Sequence, residues 1–513
     1  MTDLEKAMNG DAPLKGALLW LVAIVLAGAN FVAVLDMTIA NVSVPSIAGA
    51  LGISSSQGMW VITCYAVAEA ITVPLTGWLA ARFGAVRVFT TAIGCFGVFS
   101  LLCGMAPSFT VLVIGRILQG VAGGPLIPLS QTLLLRIFPK EKAAAATALW
   151  AMTTLVAPIA GPILGGWLCD NYPWPVIFLI NVPLALAMAP FAWRMLKRYE
   201  TKLEKSPIDL VGLTLLVVFV GALQLMLDLG KEHDWFESRL IVALAVVAVV
   251  GFIAFLVWEM GEKHPIVNLR VFRHRGYTAA VIVVAAGFGA MFAANVLTPL
   301  WLQSYMGYTS TWAGLATAWT GVLAVFCAPA AGLLSTKVDP RKLVFFGLMW
   351  LCGILAFRTI GTTDMSFWQI SGPLLAMGLG LPFFFVPVTT IALASVEEHE
   401  TAAAAGLMNF LRTLAGAVAT SIVNTAWENG AQVKHAELAG LVDRTGETMH
   451  TLAAGGMNAE QSLQALDRMV QSQSVMLATN ELMMYSSLAF LFAATLIWLA
   501  PRPTRKIGMG ASH

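Results

Sequence analysis

From Leu18 onward the chain is a succession of apolar runs separated by short polar breaks. The runs lie near residues 17–38, 58–80, 88–106, 109–135, 144–168, 174–195, 208–229, 238–259, 277–303, 312–335, 342–361, 367–395, 402–427 and 480–501. A helix that crosses a bilayer needs about 20 mainly apolar residues, so the pattern predicts fourteen membrane-spanning helices. The runs at 58–80 and 402–427 carry the most polar residues. One connection is long: residues 428–479 turn polar, with a helical stretch reading NAEQSLQALDRMVQSQS. That segment is too short for an enzyme domain and reads either as a passive loop or as a docking surface for an external partner.

The pattern also repeats. PLTGWLAARFGAVRV begins at Pro74 and PAAGLLSTKVDPRKL at Pro329, so that Pro74, Gly77, Leu79, Arg82 and Arg87 map onto Pro329, Gly332, Leu334, Lys337 and Lys342. Both segments end an apolar run on the same side of the membrane. Duplicated halves of this kind are characteristic of transporters that alternate access around a central site.

Composition agrees with a membrane protein: 58% of the 513 residues are hydrophobic and 11% are charged, against about 25% charged in soluble proteins. The placement of charge says more than the net +2. Of the 30 Lys and Arg, 22 fall in the two tails and the loops that share their side, and five (Lys231, Arg239, Lys434, Arg444 and Arg468) fall opposite. The excess of positive charge marks the cytoplasmic side, so both termini are expected there and residues 428–479 outside. MTDLEKAMNGDAPLKG reads as a cytoplasmic tail without a signal-peptide cleavage site. The six cysteines sit inside apolar runs with no close pairing and read as small hydrophobes.

Charges inside the runs are then the candidate chemistry, because an ionisable group in hydrocarbon costs roughly 2.5–3.5 kcal/mol even on lenient scales. Asp36, in VLDMTIANVSVP, and Glu69, in CYAVAEAITVPL, are the candidate proton carriers; a hydrogen bond between helices is the alternative for Glu69. Arg116, in GRILQGVAGG, shares a helix face with Gln119, Gly120, Gly123 and Gly124. It stays protonated and serves either as a fixed charge beside a proton-carrying acid or as a bonding point for backbone carbonyls. Asn41, Tyr65, Gln119, Gln131, Asn295, Asn409 and Arg412 are candidates for contact with substrate; Asn181 and Arg358 are further polar residues within the runs, and Arg358 and Arg412 lie near enough to helix ends to snorkel. Asp228 is expected at a solvated helix end. In VAPIAGPILGGW, Ala157, Gly161 and Gly165 recur every four residues beside Pro158, Pro162 and Gly166, a pattern for a tight, bent helix crossing. No phosphate-binding loop, CxxC pair or HExxH motif occurs, so ATP-driven pumping, a catalytic centre, a cofactor and a metal are not expected.

LDMTIANVSVP, GWLAARFGAVR, GRILQGVAGG and APIAGPILGGW together resemble the successive signature motifs of the fourteen-span drug/proton antiporters of the major facilitator superfamily. WVITCYAVAEAITVPLTGWLA, NFLRTLAGAVATS and LQLMLDLGKEHDWF are similar to its EmrB-type exporters in particular. The resemblance implies an all-α polytopic membrane protein, with a first six-helix half at 17–195, two linker helices at 208–259 and a second half at 277–501 that includes the outer loop 428–479, flanked by cytoplasmic tails at 1–16 and 502–513. It implies antiport, from the glycine–proline motif, with Asp36 and Arg116 at the family's charged membrane positions and Gly77, Arg82, Gly84, Gly120, Gly161, Pro162, Gly165 and Gly166 in its conformational motifs. It implies lipophilic substrates, a periplasmic adaptor and an outer-membrane channel, and the inner membrane of a Gram-negative bacterium; nucleic acid is not a partner. Export of one physiological metabolite, such as a fatty acid or siderophore, is the alternative, and a non-transporting receptor or scaffold the third. Two positions depart from the family pattern: Ala81 stands where an acid is usual, and Trp174-Pro175-Val176 where a W-R-W or W-G-W triplet is usual.

Overall fold

The computed structural model describes residues 16–502 apart from 54, 140–141, 202, 204–206, 398–399 and 441–457. Fourteen helices are long and apolar enough to cross a membrane. They are α1 (Gly16–Leu51), α2 (Ser55–Phe83), α3 (Ala85–Gly104), α4 (Phe109–Ile137), α5 (Ala143–Asn171), α6 (Val176–Tyr199), α7 (Leu210–Leu229), α8 (Arg239–Gly261), α9 (Arg275–Ser304), α10 (Ser310–Lys337), α11 (Pro340–Arg358), α12 (Phe367–Ala394), α13 (Thr401–Gly440) and α14 (Ala459–Leu496). The starts are written locally. Ser108, Asp209, Thr309 and Asp339 each accept a hydrogen bond from a backbone N–H of the first turn, and Ser366 and Asn458 form reciprocal capping boxes with Gln369 and Gln461. Such caps satisfy amides that have no partner within the helix. Two helices are interrupted where the sequence provides the means: α4 at Gly124-Pro125 and α6 at Ile180.

The helix pairings repeat with a shift of eight. α1 packs on α5, α2 on α4, and α3 on α4 and α6; correspondingly α9 packs on α13, α10 on α12, and α11 on α12 and α14. The two sets meet through α5 with α10 and through α2 with α13, which are the same pairing seen from each half. The sequence repeat at Pro74 and Pro329 falls on the corresponding helices α2 and α10. α7 and α8 pack on each other and join the rest through α2 and α13. At the α2–α13 contact Gly77 is required by space, since a Cβ there would lie 3.0 Å from the Ala403 backbone.

Within the polar segment, residues 428–440 and 459–479 are helical. α13 continues to Gly440 and α14 begins at Ala459, so both helices run on beyond their apolar parts. A change from apolar to polar side chains ends burial in lipid, not helix propensity, and no proline intervenes. Trp427 Nε1 donates to Thr479 Oγ1 at 2.9 Å and His435 pairs with Asp467 at 3.2 Å, holding the two extensions together.

Candidate functional site

Three elements of the first half converge on a buried ion pair. Asp36 (α1) and Arg116 (α4) are 1% and 0% exposed, and Arg116 Nη1 donates to Asp36 Oδ2 at 2.6 Å. The other carboxylate oxygen accepts from Gln119 Nε2 at 3.0 Å and from Asn181 Nδ2 at 2.7 Å. Arg116 also donates through Nε to the Val61 carbonyl and through Nη1 to Gln119 Oε1, and its guanidinium carbon lies 4.2 Å from the Tyr65 ring centroid. The break in α6 at Ile180 precedes Asn181, which delivers its amide to Asp36. Arg116 thus pairs with an acid and bonds a backbone carbonyl at once. Gly120 explains the close approach behind it: a Cβ there would collide with the Tyr65 carbonyl on α2.

A second polar cluster lies on the seam between the halves. Arg412 (α13) is 6% exposed, and its guanidinium carbon stands 4.9 Å from the Phe288 ring (α9), 5.7 Å from Phe385 (α12) and 5.8 Å from Trp150 (α5). Such rings attract a cation through their negative faces. Its Nη1 has no hydrogen-bond partner. One turn earlier on α13, Asn409 Nδ2 donates to Gln131 Oε1 (α4) at 3.4 Å, while Gln131 Nε2 and Asn409 Oδ1 remain without partners. Glu69 (α2) is 4% exposed. Among the described residues its carboxylate takes part in no hydrogen bond, which sets it apart from Asp36. Arg412 therefore does not snorkel. Buried polar atoms without partners are rare in folded proteins and call for a ligand, water or moving part.

Several expectations resolve differently. Asp228 is not a solvated end: it is half-buried beside α2, bonded by Gln224 and Thr63, because α7 packs there. Arg358 is drawn inward to donate to Thr298 Oγ1 at 2.9 Å. Asn295 is half-buried on α9 and joins neither cluster by a hydrogen bond among the described residues. The side chain of Asn41 lies outside the described residues. Tyr65 is fully buried against Arg116, its hydroxyl without a partner. In α5, Gly161 packs on Thr38 of α1, with Gly165 and Gly166 buried and Pro162 half-buried beside it. This motif also abuts the other half, since a Cβ on Gly314 of α10 would meet Ile163 at 3.1 Å.

Sequence reasoning missed Asn30, Trp150 and Glu200. Asn30 donates to Thr153 and Thr154, tying α1 to α5. Its signal was one more amide six residues ahead of Asp36. Glu200 lies just past α6 and supplies an acid near the motif that lacks one at Ala81. Its carboxylate accepts from the backbone amides of Val86 and Arg87 at 2.9 and 3.0 Å, capping α3 directly behind Gly84, whose φ is 94°. Arg82 is exposed at the end of α2. Removing such a cap costs about 1 kcal/mol. Glu200→Ala is therefore expected to speed amide hydrogen exchange at Val86 and Arg87 without affecting α4; unchanged exchange would mean that the cap contributes nothing.

The sequence pattern of the Major Facilitator Superfamily matches residues 26–420. The fatty acid resistance protein FarB of Neisseria gonorrhoeae is 44% identical over 502 residues, covering 97% of this chain and 99% of that protein. The multidrug export protein EmrB of Escherichia coli K12 is 42% identical over 501 residues, covering 97% and 98%. Among solved structures, the human organic anion transporter MFSD10 superposes with a TM-score of 0.58 over 94% of this chain and 100% of its own, at 14% identity. A bacterial homolog of the human lysosomal transporter Spinster, inward-facing and unoccupied, gives 0.57 over 97% and 100%, also at 14% identity. At that identity the two structures speak for the fold alone.

Proposed function

Because the chain belongs to the Major Facilitator Superfamily, and is a multi-pass transporter of a bacterial inner membrane and not an enzyme, we propose that it exports lipophilic drugs and toxic compounds in exchange for protons. The observation that carries this reading is the placement of Glu69: a buried carboxyl with no hydrogen bond among the described residues, on α2, which packs on α13 of the opposite half. Intramembrane ionisable groups of this kind mark proton and substrate pathways. Asp36 is held by donors from Arg116, Gln119 and Asn181, whereas Glu69 is bonded by none among the described residues, so we assign the proton to Glu69 and the bracing of α1, α4 and α6 to the Asp36–Arg116 pair.

The exchange follows from charge. Ionised Glu69 attracts a lipophilic cation entering from the tail side, which the excess of Lys and Arg identifies as cytoplasmic. A proton arriving from outside neutralises it, and the cation loses its counter-charge. Proton and substrate thus compete for one carboxylate, which is the condition for antiport. Exchange of one proton for one monovalent cation moves no net charge, so the pH difference drives it, about 1.4 kcal/mol per pH unit. Gln131, Asn409, Arg412 and the rings around Arg412 line the same seam and are assigned to substrate contact.

A second reading, export of a fatty acid, rests on Arg412. A buried guanidinium with an unused N–H beside three rings suits a carboxylate with an apolar tail, and FarB carries fatty acid resistance in its name. The paired extensions of α13 and α14 are assigned to a periplasmic adaptor that passes substrate to an outer-membrane channel in a Gram-negative envelope. The test is flux of tetraphenylphosphonium and of oleate from proteoliposomes under an imposed pH gradient. Gradient-driven movement of the cation supports exchange at Glu69, and movement of oleate alone favours the second reading. Flux of either that ignores the gradient ends the proton-coupling proposal.

A further inference from the structure

The stretch LQLMLDLGKEHDWF, which closes α7 and leads into α8, has no part in the transport reading. α7 joins the rest of the protein through α2 of the first half and α13 of the second. Near the tail side these two helices meet directly: a Cβ on Gly77 would lie 3.0 Å from the Ala403 backbone, and one on Gly406 would lie 3.1 Å from the Val73 carbonyl. Toward the opposite side the end of α7 touches both of them.

The two joints differ. Ser421, Thr425 and Glu428 of α13 recur at i, i+4 and i+7, so they share one face, and all three bond the stretch. Ser421 Oγ donates to the Leu227 carbonyl at 2.8 Å, Trp235 Nε1 donates to Thr425 Oγ1 at 3.1 Å, and Lys231 Nζ pairs with Glu428 Oε1. The Leu227 carbonyl lies in the last turn of α7, where carbonyls have no partner within the helix. Trp235 is aimed by the backbone: its amide donates to the Gly230 carbonyl at 2.8 Å, Asp234 and Trp235 take left-handed φ of 52° and 53°, and a Cβ on Gly230 would lie 2.8 Å from the indole. Residues other than glycine keep such a conformation only where their surroundings fix it. On the α2 side, Thr63 bonds the Asp228 carboxylate. The other polar side chains of α7 turn back on α7 itself, Thr214 to the Leu210 carbonyl and Gln224 Nε2 to both oxygens of Asp228 at 3.2 Å. An apolar contact between helices can slide, whereas a row of hydrogen bonds fixes register.

We propose that α7, α8 and the connection between them form a strap that moves with the second half, and that the Thr63–Asp228 bond is its latch on the first. This rests on the transport reading, in which the halves move against each other. Released from Thr63, Asp228 keeps Gln224 as a donor, so opening the latch does not leave the carboxylate bare. Opening the α13 joint instead would orphan the Leu227 carbonyl and the Trp235 indole N–H. The latch therefore yields first, and while closed it holds α2 and α13 at their present spacing.

The test is double electron–electron resonance on the full chain in nanodiscs, with its six native cysteines replaced by alanine and nitroxides on pairs of exposed positions. The positions are Ala50 at the end of α1, Phe236 in the connection and Val433 on α13. Distances are compared at pH 8 with saturating tetraphenylphosphonium and at pH 5.5 without it. The Ala50–Val433 and Ala50–Phe236 distances are expected to change together by about 5 Å, the scale of element shifts in switching proteins, while Phe236–Val433 stays constant. Thr63→Val keeps the side-chain shape and deletes the donor. It should raise the released Ala50–Phe236 population about tenfold relative to the latched one, the worth of one hydrogen bond to a charged group. A Phe236–Val433 distance that changes while Ala50–Phe236 stays constant would give the strap to the first half, and a Thr63→Val chain distributed as wild type would remove the latch; either overturns the proposal. An Ala50–Val433 distance that is constant in both conditions would count against movement between the halves, and so against the transport reading and this proposal with it.

Discussion

Glu69→Gln abolishes gradient-driven export and weakens binding of the lipophilic cation: that is the expected result in proteoliposomes. Glutamine keeps the volume and polarity of the side chain but can neither carry a proton nor offer a charge. One-for-one exchange of a proton for a monovalent cation moves no net charge, so the pH difference alone drives it, and each pH unit can sustain a ratio of about tenfold. In the variant it should fall to unity, with tetraphenylphosphonium merely equilibrating. Glu69→Asp, which retains the carboxyl, should recover part of the coupling. The prediction depends on Glu69 being buried on α2 at its contact with α13, while Asp36 is occupied by Arg116, Gln119 and Asn181. If Glu69→Gln still concentrates the cation and Asp36→Asn does not, the two carboxyls have been assigned the wrong way round.

The second large effect is on stability. Arg116→Ala leaves Asp36 buried with no counter-charge, and Asp36→Ala leaves the guanidinium in the same position. Breaking a buried pair from one side costs about 3–5 kcal/mol, enough to unfold or deplete many proteins outright. Both single substitutions are expected to lower the thermal midpoint of the purified protein sharply and to reduce its yield. Asp36→Asn with Arg116→Gln removes both charges together and should recover a large share of the loss, since two neutral amides can still exchange hydrogen bonds with Gln119 and Asn181. A double variant no more stable than the worse single one would show that the pair is not coupled. A single variant that melts with wild type would remove the bracing role altogether. The rescue separates this effect from a transport defect, because it is read without substrate.

Length and polarity alone were enough to place all fourteen helices, because lipid imposes one rule that a chain obeys residue by residue: a crossing segment must be apolar for about 20 residues. The repeat at Pro74 and Pro329 was legible for a similar reason, since a short motif ends corresponding helices. Asp36, Glu69 and Arg116 stood out because charge in an apolar run is costly wherever it occurs. The run of α13 and α14 beyond the membrane was not legible as an apolar pattern. It was written instead in the absence of proline and in the capping box that Asn458 forms with Gln461.

What sequence could not supply was who faces whom. Asp36 and Glu69 look alike in one dimension, each a lone acid in an apolar run, and the structure separates them by 80- and 145-residue contacts to Arg116 and Asn181 that Asp36 makes and Glu69 does not. Arg412 and Arg358 looked able to reach a helix end, yet packing turned both inward, one among rings from α5, α9 and α12 and the other onto Thr298. Asp228 looked solvated until α7 was laid against α2. The missing acid at Ala81 has a counterpart in Glu200, well over a hundred residues away at the end of another helix. The sequence by itself determined which segments enter the membrane and which charges go in with them, because transfer from water to lipid is decided by each segment's own side chains. Only the tertiary structure decided which of those charges meets a partner and which has none among the described residues, because that depends on distances between helices that no single segment encodes.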